Sequence, residues 1–417
     1  MTAVLEPARV VPVRSPVRRW TPLALIFLSV GLSTAMAFPF LTLFLTEDVH
    51  ASPLRVTIFL VAAPLSTVLV ATLIGRLSDR RPIRRRLILG AALAGCAGAL
   101  LTAVVRDYWV LLALTVTVTA AAGSILPQLF AYARTALHGS DRAAMTMSTL
   151  RTLFSLSWVA GPFLATVLLG LGRFALVYGF SATMYLLAAV LVWRLLPDSP
   201  AEDAGRRTAY SPAAPPEPDA PRRVIALTVA ALVLLQCAGN LGVQALSLFL
   251  TTELGVGIGK VGLILGFCAG LEIPLMLGFG FLSTRVPLRR MILAGPLFSV
   301  AYALAVASAA HAWQVAAAQI LNASAIAVLQ GLGVSYIQEL LPRRPGRAST
   351  LFTNAFPAGA VLAGPLLGVA QHVGYRAAYL TGAALAAVAL ALLITARPSA
   401  RRARLARPPR AAPATRC

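Results

Sequence analysis

Charged residues are scarce in this chain of 417 residues. They make up 12% of it, about half of their usual share in soluble globular domains. Hydrophobic residues make up 58%, and the mean hydropathy is +0.80. A single soluble core stops growing at roughly 250–300 residues, so it could not bury this much apolar surface. The composition therefore excludes an ordinary soluble domain.

Paired cysteines and the common catalytic motifs are also missing. The four cysteines are Cys96, Cys237, Cys268 and Cys417, and no two of them form a CxxC pair. This spacing predicts neither a disulfide framework nor a zinc site, and we expect no metal and no cofactor. The phosphate-binding loop, the GxSxG elbow and the HExxH pair do not occur. We therefore expect neither an enzyme nor transport driven by ATP.

Long apolar runs without charge fill most of the chain. Runs of 18 or more such residues are typical of membrane-spanning helices, and residues 22–45, 87–105 and 224–250 carry no charge at all. The sequence predicts an all-α membrane protein with twelve spans. They fall near residues 22–45, 55–77, 87–105, 109–131, 146–170, 175–196, 224–250, 260–283, 288–310, 313–341, 348–372 and 376–396.

A proline-rich segment divides these spans into two sets of six. Residues 197–223 combine several prolines with acidic and basic residues, which is typical of an exposed linker. We predict an N-tail at 1–20, six-helix bundles at 21–196 and 224–396, and an Arg-rich tail at 397–417.

The two halves repeat one another. Leu41–Thr46 (LTLFLT) recurs as Leu246–Thr251 (LSLFLT), at an offset of 205 residues. Further matches at this offset pair Gly75 with Gly280, Arg84 with Arg289 and Arg85 with Arg290. A duplicated six-span unit is typical of secondary transporters, in which the halves rock about a central site.

The excess of positive charge has a simple distribution. The chain has 36 Lys and Arg against 14 Asp and Glu, a net charge of +22. Thirty of the cations fall in the tails, the linker and alternate loops, and five fall on the other side of the spans. By the positive-inside rule, both termini and the linker are predicted to be cytoplasmic. The charge is a topology signal, so we expect a lipid bilayer and no nucleic acid as the partner.

The loop after the second span carries a motif of one glycine, one acid and three arginines: Gly75, Asp79, Arg80, Arg84 and Arg85. We expect the glycine to allow close helix approach, the acid to cap a neighbouring helix and the arginines to anchor in anionic headgroups. The motif resembles the loop signature of the major facilitator superfamily, with Pro82 where that signature has glycine. A plain basic loop is the alternative. In the second half, Thr284 replaces Asp79.

A second short motif lies in the fifth span. Gly161-Pro162 resembles the core of a motif found in proton-coupled exporters of that superfamily. A proline kink of the kind that membrane helices tolerate explains the pair equally well. Both interpretations stay open.

Polar side chains inside the spans are the candidates for substrate binding, because they are costly in lipid unless they face a partner or a water-filled cavity. Amides both donate and accept hydrogen bonds, and an indole offers a flat apolar face, which together suit a sugar. Hydrogen bonding between helices is the alternative role. The candidates are Gln128, Ser155, Trp158, Gln236, Asn240, Gln244, Asn322, Gln330 and Asn354; Gln319 precedes Asn322 on roughly the same face.

Glu272 is a carboxylate deep within a span. Burial favours the protonated form of a carboxyl group, so a residue that alternates between the two forms could couple proton entry to substrate exit. Arg151, near the start of the fifth span, is the candidate opposite charge. A structural acid, either paired with a cation or held permanently neutral, is the alternative.

Four further segments resemble one branch of the superfamily, the bacterial sugar efflux transporters. They are Pro127–Ala131, Ser155–Pro162, Ala269–Pro274 and Leu351–Asn354, and the resemblance covers roughly residues 25–395. It implies the major-facilitator fold, with two pseudo-symmetric six-helix bundles in the bacterial inner membrane. It also implies proton-driven export of sugars or glycosides.

The predicted function is therefore secondary active export of a small sugar or glycoside by proton antiport, with alternating access and a monomeric protein. A multidrug exporter of the same fold is the first alternative, although it would be expected to have more aromatic residues than the 7% in this chain. A polytopic membrane sensor or enzyme is the second, and it would need a soluble signalling domain or a polar catalytic cluster.

Overall fold

The structure, a computed structural model, describes residues 16–80, 83–136, 143–171, 174–196 and 218–396. Within these ranges the regular structure is helical, with no strand. Twelve helices are long and apolar enough to cross a membrane, as the sequence predicted. They are α1 (Thr21–Asp48), α2 (Pro53–Ser78), α3 (Arg84–Val104), α4 (Tyr108–Ala133), α5 (Thr152–Gly170), α6 (Phe174–Leu195), α7 (Arg222–Glu253), α8 (Ile258–Leu282), α9 (Leu288–Ala307), α10 (Ala312–Leu340), α11 (Arg347–Val373) and α12 (Tyr375–Thr395).

Several helix ends follow directly from local sequence. The carboxylate of Asp107 accepts a hydrogen bond from the backbone N–H of Val110 and caps the start of α4. Pro221 and Pro287 immediately precede α7 and α9. Gly374 separates α11 from α12 with a φ of 117°, a region that glycine enters without steric cost.

Some predicted segments lie outside the described residues. These are most of the N-tail (residues 1–15), residues 197–217 of the linker and the tail at 397–417. The helix that leads into α1 already begins at Pro16, and the helix that contains α5 begins at Ala143. The domain boundaries therefore stay predictions.

The helices form two groups of six. In the first, α1 packs on α5 and α6, and α3 packs on α6. In the second, α7 packs on α11 and α12, and α9 packs on α10 and α12. The groups meet where α2 packs on α11 and α5 packs on α8. We call the ends where α1 and α7 begin the linker side, and the ends where they finish the far side.

The hydrophobic cores show where the two groups join. One buried cluster lies within the first group near the linker side, and includes Leu23 and Val192. Another lies within the second group near the linker side, and includes Val224 and Leu393. The largest cluster draws on both groups and includes the far-side ends of α1, α2, α7 and α11. The halves thus share a core on the far side.

The internal repeat is visible in the backbone. α1 and α7 both finish in a π-helical turn, Phe44–Asp48 and Phe249–Glu253. After each turn the chain folds back through an equivalent hydrogen bond of 2.8 Å, from Ala51 N to Leu45 O and from Val256 N to Leu250 O. Each of these pairs keeps the offset of 205 residues.

The predicted pairing of loop arginines needs a correction. Arg85 donates to the carbonyls of Val192 and Trp193 at the end of α6. In the second half the same role belongs to Arg289, which donates to the carbonyls that end α12. The equivalent residues therefore differ by 204, because the helix after the loop begins one residue earlier in the second half than the offset of 205 predicts. Cations at helix C-termini also interact favourably with the helix dipole.

On the far side each half carries an arginine clamp. Arg106 pairs with Asp48 at 2.7 Å and lies over the ring of Phe44. Arg376 pairs with Glu253 at 3.2 Å and lies over the ring of Phe249. The acids and rings are repeat partners, but the arginines come from the end of α3 and the start of α12. The two arginines occupy equivalent places in the structure, although they are not related by the offset of the repeat.

Candidate functional site

A small cavity, mostly apolar but with several polar side chains in its lining, lies inside the second group of helices. It has a volume of about 70 Å³ and is enclosed by α7, α9, α10 and α12. Three of its lining residues are predicted substrate ligands, Gln236, Asn322 and Gln330. Gly239 also lines the cavity and is exposed, so it marks the mouth. The cavity is smaller than the roughly 300 Å³ or more typical of a ligand pocket, so a whole sugar would not fit inside it.

The cavity includes residues that the sequence analysis missed: Ser299, Tyr302 and Tyr379. Tyr379 donates from its hydroxyl to the carbonyl of Gly242 at 3.1 Å. Hydroxyls inside apolar spans need partners, just as amides do. The sequence could therefore have identified these hydroxyls as candidates. It could not predict that α9 and α12 pack near α7.

Asn322 connects the cavity to α8. Its side-chain N–H₂ donates to Gln319 Oε1 at 2.9 Å and to Cys268 Sγ at 3.4 Å. Glu272 follows Cys268 by four residues and therefore lies on the same face of α8. Glu272 itself is half-buried. The structure thus brings the predicted carboxylate to within one helical turn of the amide network.

The polar stripe on α7 divides along its length. Gln236 lines the cavity, whereas Asn240 is buried and donates to the carbonyl of Gln236 within its own helix. Gln244, one turn further, accepts a hydrogen bond of 2.7 Å from Thr42 of α1. Three residues that share a helix face therefore have three different environments.

The predicted residues of the first half are separate from this cavity. Ser155 and Trp158 of α5 are half-buried, and Trp158 packs edge-on against Phe38 of α1, with ring centroids 6.0 Å apart. Gln128 of α4 is only 5% exposed. Its Oε1 atom has no hydrogen-bond partner among the described residues. In the second half, Asn354 of α11 is likewise not among the residues that line the cavity, and it is exposed.

Backbone register relates Glu272 to Arg151. α5 and α8 run antiparallel, with Gly262 opposite Pro162 and Gly266 opposite Val159. Continuing that register towards the linker side brings residue 151 level with residue 272. The side chain of Arg151 lies outside the described residues, so this is a statement about helix height alone.

Close approaches between the halves occur near the far side. A Cβ atom at Gly262 would lie 2.5 Å from the carbonyl oxygen of Pro162, and one at Gly266 would lie 3.0 Å from that of Val159. Gly270 lies on the same face of α8 but nearer the linker side, and no heavy atom of the described residues lies within 4 Å of its Cβ position. α5 and α8 therefore diverge towards the linker side.

α2 and α11, the second pair of helices that joins the halves, are also close near the far side and further apart towards the linker side. A Cβ atom at Gly368 of α11 would collide with Thr57 of α2. Gly75 follows Thr57 by 18 residues, five full turns, and so lies on the same face of α2. No heavy atom of the described residues lies within 4 Å of the position that a Cβ atom would take at Gly75. Among the described residues Gly75 therefore makes no close helix contact in this conformation, since α2 and α11 lie further apart there than at Gly368, and its expected role in close helix approach stays a prediction.

The rest of the loop motif is partly described. Arg84 donates to Ser78 Oγ at 3.2 Å and to the carbonyl of Ala131 at 3.4 Å. Together with Arg85, it ties the loop to helix ends of its own half. The side chains of Asp79 and Arg80 lie outside the described residues. The predicted headgroup contacts of the arginines are untested.

Gly161-Pro162 has a packing role. A Cβ atom at Gly161 would lie 2.6 Å from Ala35 Cβ of α1, while the carbonyl of Pro162 faces Gly262 of α8. The pair thus lies where α5 contacts a helix of each half.

Among the described residues, no group of three or more His, Cys, Asp or Glu is arranged to hold a metal ion.

The sequence has close relatives among characterised families. The family model of the Major Facilitator Superfamily matches residues 23–307 and 227–416. Sugar efflux transporter A of Dickeya chrysanthemi is 35% identical, over 88% of this chain and 92% of its own length. Sugar efflux transporter B of Salmonella typhimurium is 33% identical, over 84% of this chain and 88% of its own.

Solved structures with the same fold are much more distant in sequence. The nucleoside transporter NupG superposes with a TM-score of 0.73 at 12% identity, covering 90% of this chain and 98% of its own. The peptide transporter POT, in complex with sulfate, gives a TM-score of 0.71 at 15% identity, covering 93% of this chain and 95% of its own. At this distance the similarity establishes the fold alone.

Proposed function

This chain belongs to the sugar efflux transporter family of the major facilitator superfamily, and from that premise we propose that it exports sugars or glycosides from the bacterial cytoplasm by alternating access. The observation that carries the proposal is the set of three amides, Gln236, Asn322 and Gln330, which line one cavity. Relatives that are named sugar efflux transporters support the same substrate class.

The chemistry of the cavity suits part of a sugar. Each amide both donates and accepts hydrogen bonds, as each sugar hydroxyl does. The hydroxyls of Ser299 and Tyr302 add groups of the same kind. Trp158, on α5 of the other half, offers an aromatic face for the apolar side of a sugar ring. We propose that the ring lies between the halves and that a hydroxyl-bearing end reaches the cavity.

The alternating motion follows from where the halves touch. They share a core on the far side and diverge towards the linker side. The positive-inside rule assigns the linker side to the cytoplasm. We therefore propose that this conformation opens to the cytoplasm, and that rocking of the halves opens the far side to release substrate.

Proton coupling is assigned to Glu272. Its position one turn from the Asn322 network and level with residue 151 supports this role. In the proposal, the carboxyl group takes a proton from the outside, and the substrate leaves when that proton arrives. The proton is then released to the cytoplasm when the halves return.

Transport by inside-out membrane vesicles tests the proposed function. Vesicles should accumulate radiolabelled lactose or glucose above the level of vesicles without the protein, and a protonophore should abolish the difference. Gln330→Ala should raise KM roughly tenfold, since a half-buried amide partner of the sugar hydroxyls is lost.

The matched control is Gln338→Ala on the same helix, because Gln338 donates to Ser349 Oγ outside the cavity. It should leave KM unchanged. If wild-type vesicles take up no sugar but accumulate amphipathic drugs instead, the sugar assignment is wrong and a multidrug exporter is the better description.

A further inference from the structure

The closed far side contains a contact that follows the internal two-fold repeat. Thr42 Oγ1 of α1 donates to Gln244 Oε1 of α7 at 2.7 Å. Ser247 Oγ of α7 donates to the carbonyl oxygen of Pro39 of α1 at 3.4 Å. Thr42 and Ser247 differ by 205 residues, and so do Pro39 and Gln244. Each half therefore presents a hydroxyl to the same position of the other half, as in a two-fold symmetric interface.

These groups are isolated from solvent. Thr42 and Ser247 are each 0% exposed, and Gln244 is 5% exposed. A buried polar group that loses its partner bears its full desolvation cost. Separating the halves here without water entry would therefore be unfavourable, and reforming the bonds would favour closure.

The surrounding backbone is irregular on both sides of the contact. In α1 a 3₁₀ turn, Phe38–Phe40, precedes Thr42 and the π-helical turn follows it. In α7 the π-helical turn begins two residues after Ser247, at Phe249. Mid-helix segments of these kinds often mark hinges or functional sites. The contact thus lies where both helices depart from regular geometry.

We infer that Thr42, Gln244, Ser247 and Pro39 form a far-side latch, whose strength sets how often the transporter opens to the outside. Gln244 is then a positioning residue and not a substrate ligand. This inference rests on the alternating access proposed above. It assigns the two-fold repeat a direct role in holding the halves together.

Two variants remove the stronger of the two bonds from opposite ends. Gln244→Ala deletes the acceptor, and Thr42→Val deletes the donor while keeping the size of the side chain. Each should increase the far-side-open population about 3- to 10-fold, the range expected for one lost hydrogen bond. The double variant should add little to either single variant, because both remove the same bond.

Two controls match these changes. Thr42→Ser keeps the hydroxyl and copies the residue at the equivalent position of α7, so it should behave as wild type. Thr46→Val removes a hydroxyl one turn away that bonds only to carbonyls of its own helix, Thr42 and Leu43. Thr46→Val should leave the far-side-open population unchanged. It controls for the loss of a hydroxyl group near the latch that does not join the halves.

The populations are measured by spin-label distances in the purified protein without sugar. Labels at Leu171 and Val373, both exposed near the far side, report opening there. Labels at Trp193 and Phe281 report the linker side. Weakening the latch should lengthen the first distance and shorten the second.

The measurement separates the latch from the proposed substrate. Unchanged distance distributions in both Gln244→Ala and Thr42→Val would overturn the latch, whether or not the protein transports sugar. A tenfold weaker sugar affinity of Gln244→Ala with unchanged distances would return Gln244 to the substrate site. Absence of sugar transport in wild type would reject the substrate and leave the distance result intact.

Discussion

At the scale of single residues, three polar side chains of α7 show how the depth of a residue in the membrane decides its contacts. Gln236, Asn240 and Gln244 lie at successive turns of one helix face, so their spacing suggests a common ligand. The structure gives them a cavity, an intrahelical bond and a contact between the halves, respectively. The spacing of residues along a helix predicts the direction in which their side chains project. It does not predict which neighbouring helices lie at each height, and those neighbours determine the contacts of each side chain.

Glu272→Gln tests proton coupling at this scale. The amide keeps the size of the side chain and cannot release a proton, so sugar accumulation driven by a proton gradient should fall at least tenfold. Exchange of sugar for sugar, which needs no net proton movement, should continue. Both are measured in the same vesicle preparation.

Glu339→Gln is the matched control, because Glu339 is an exposed carboxylate towards the linker-side end of α10. It should retain accumulation near the wild-type level. If Glu272→Gln also accumulates sugar normally, Glu272 has a structural role and the coupling group is elsewhere.

At the scale of helices, the twelve spans were predictable, and their bounds agree with the structure to within a few residues. Apolar length is a local property, and the bilayer imposes one requirement on every span. Helix contacts were not predictable. The cations of the two far-side clamps, Arg106 and Arg376, occupy equivalent places from different helices, which no sequence offset reveals.

Gly75→Leu tests the divergence of α2 and α11. In the present conformation the described part of the chain leaves room for a larger side chain, because none of its heavy atoms lies within 4 Å of the Cβ position. Closure of the linker side would bring α11 against this face of α2. The substitution should therefore trap the linker-side-open state and lower sugar export at least tenfold, with normal expression.

Gly90→Leu is the control for that substitution. Gly90 also has no heavy atom within 4 Å, but it lies on α3, which packs on helices of its own half. Its export rate should stay close to wild type. Normal export by Gly75→Leu would show that α2 and α11 never close at this height.

At the scale of the whole molecule, charge and repetition carried the prediction. Thirty of the 36 cations mark one side of the spans. The repeat indicated two equivalent halves. The structure confirms the two six-helix groups, and the orientation in the membrane stays a prediction.

Labelling of single cysteines tests the orientation. In a background with Cys417→Ser, a membrane-impermeant maleimide should react with His50→Cys in intact cells, since the loop after α1 is predicted to face outwards. Arg207→Cys, in the linker, should react only after the cells are permeabilised. The reverse pattern would invert the topology and, with it, the assignment of this conformation as open to the cytoplasm.

The sequence by itself determined that this is a twelve-span transporter with a duplicated unit, because hydropathy, charge and repetition are written along the chain. It also determined which residue types stand in the membrane. Only the tertiary structure decided which of them share a cavity and which join the halves. Those assignments depend on how far helices from separate parts of the chain lie from one another at a given depth. For this reason Gln236 lines a cavity while Gln244, two turns away on the same helix face, contacts the other half.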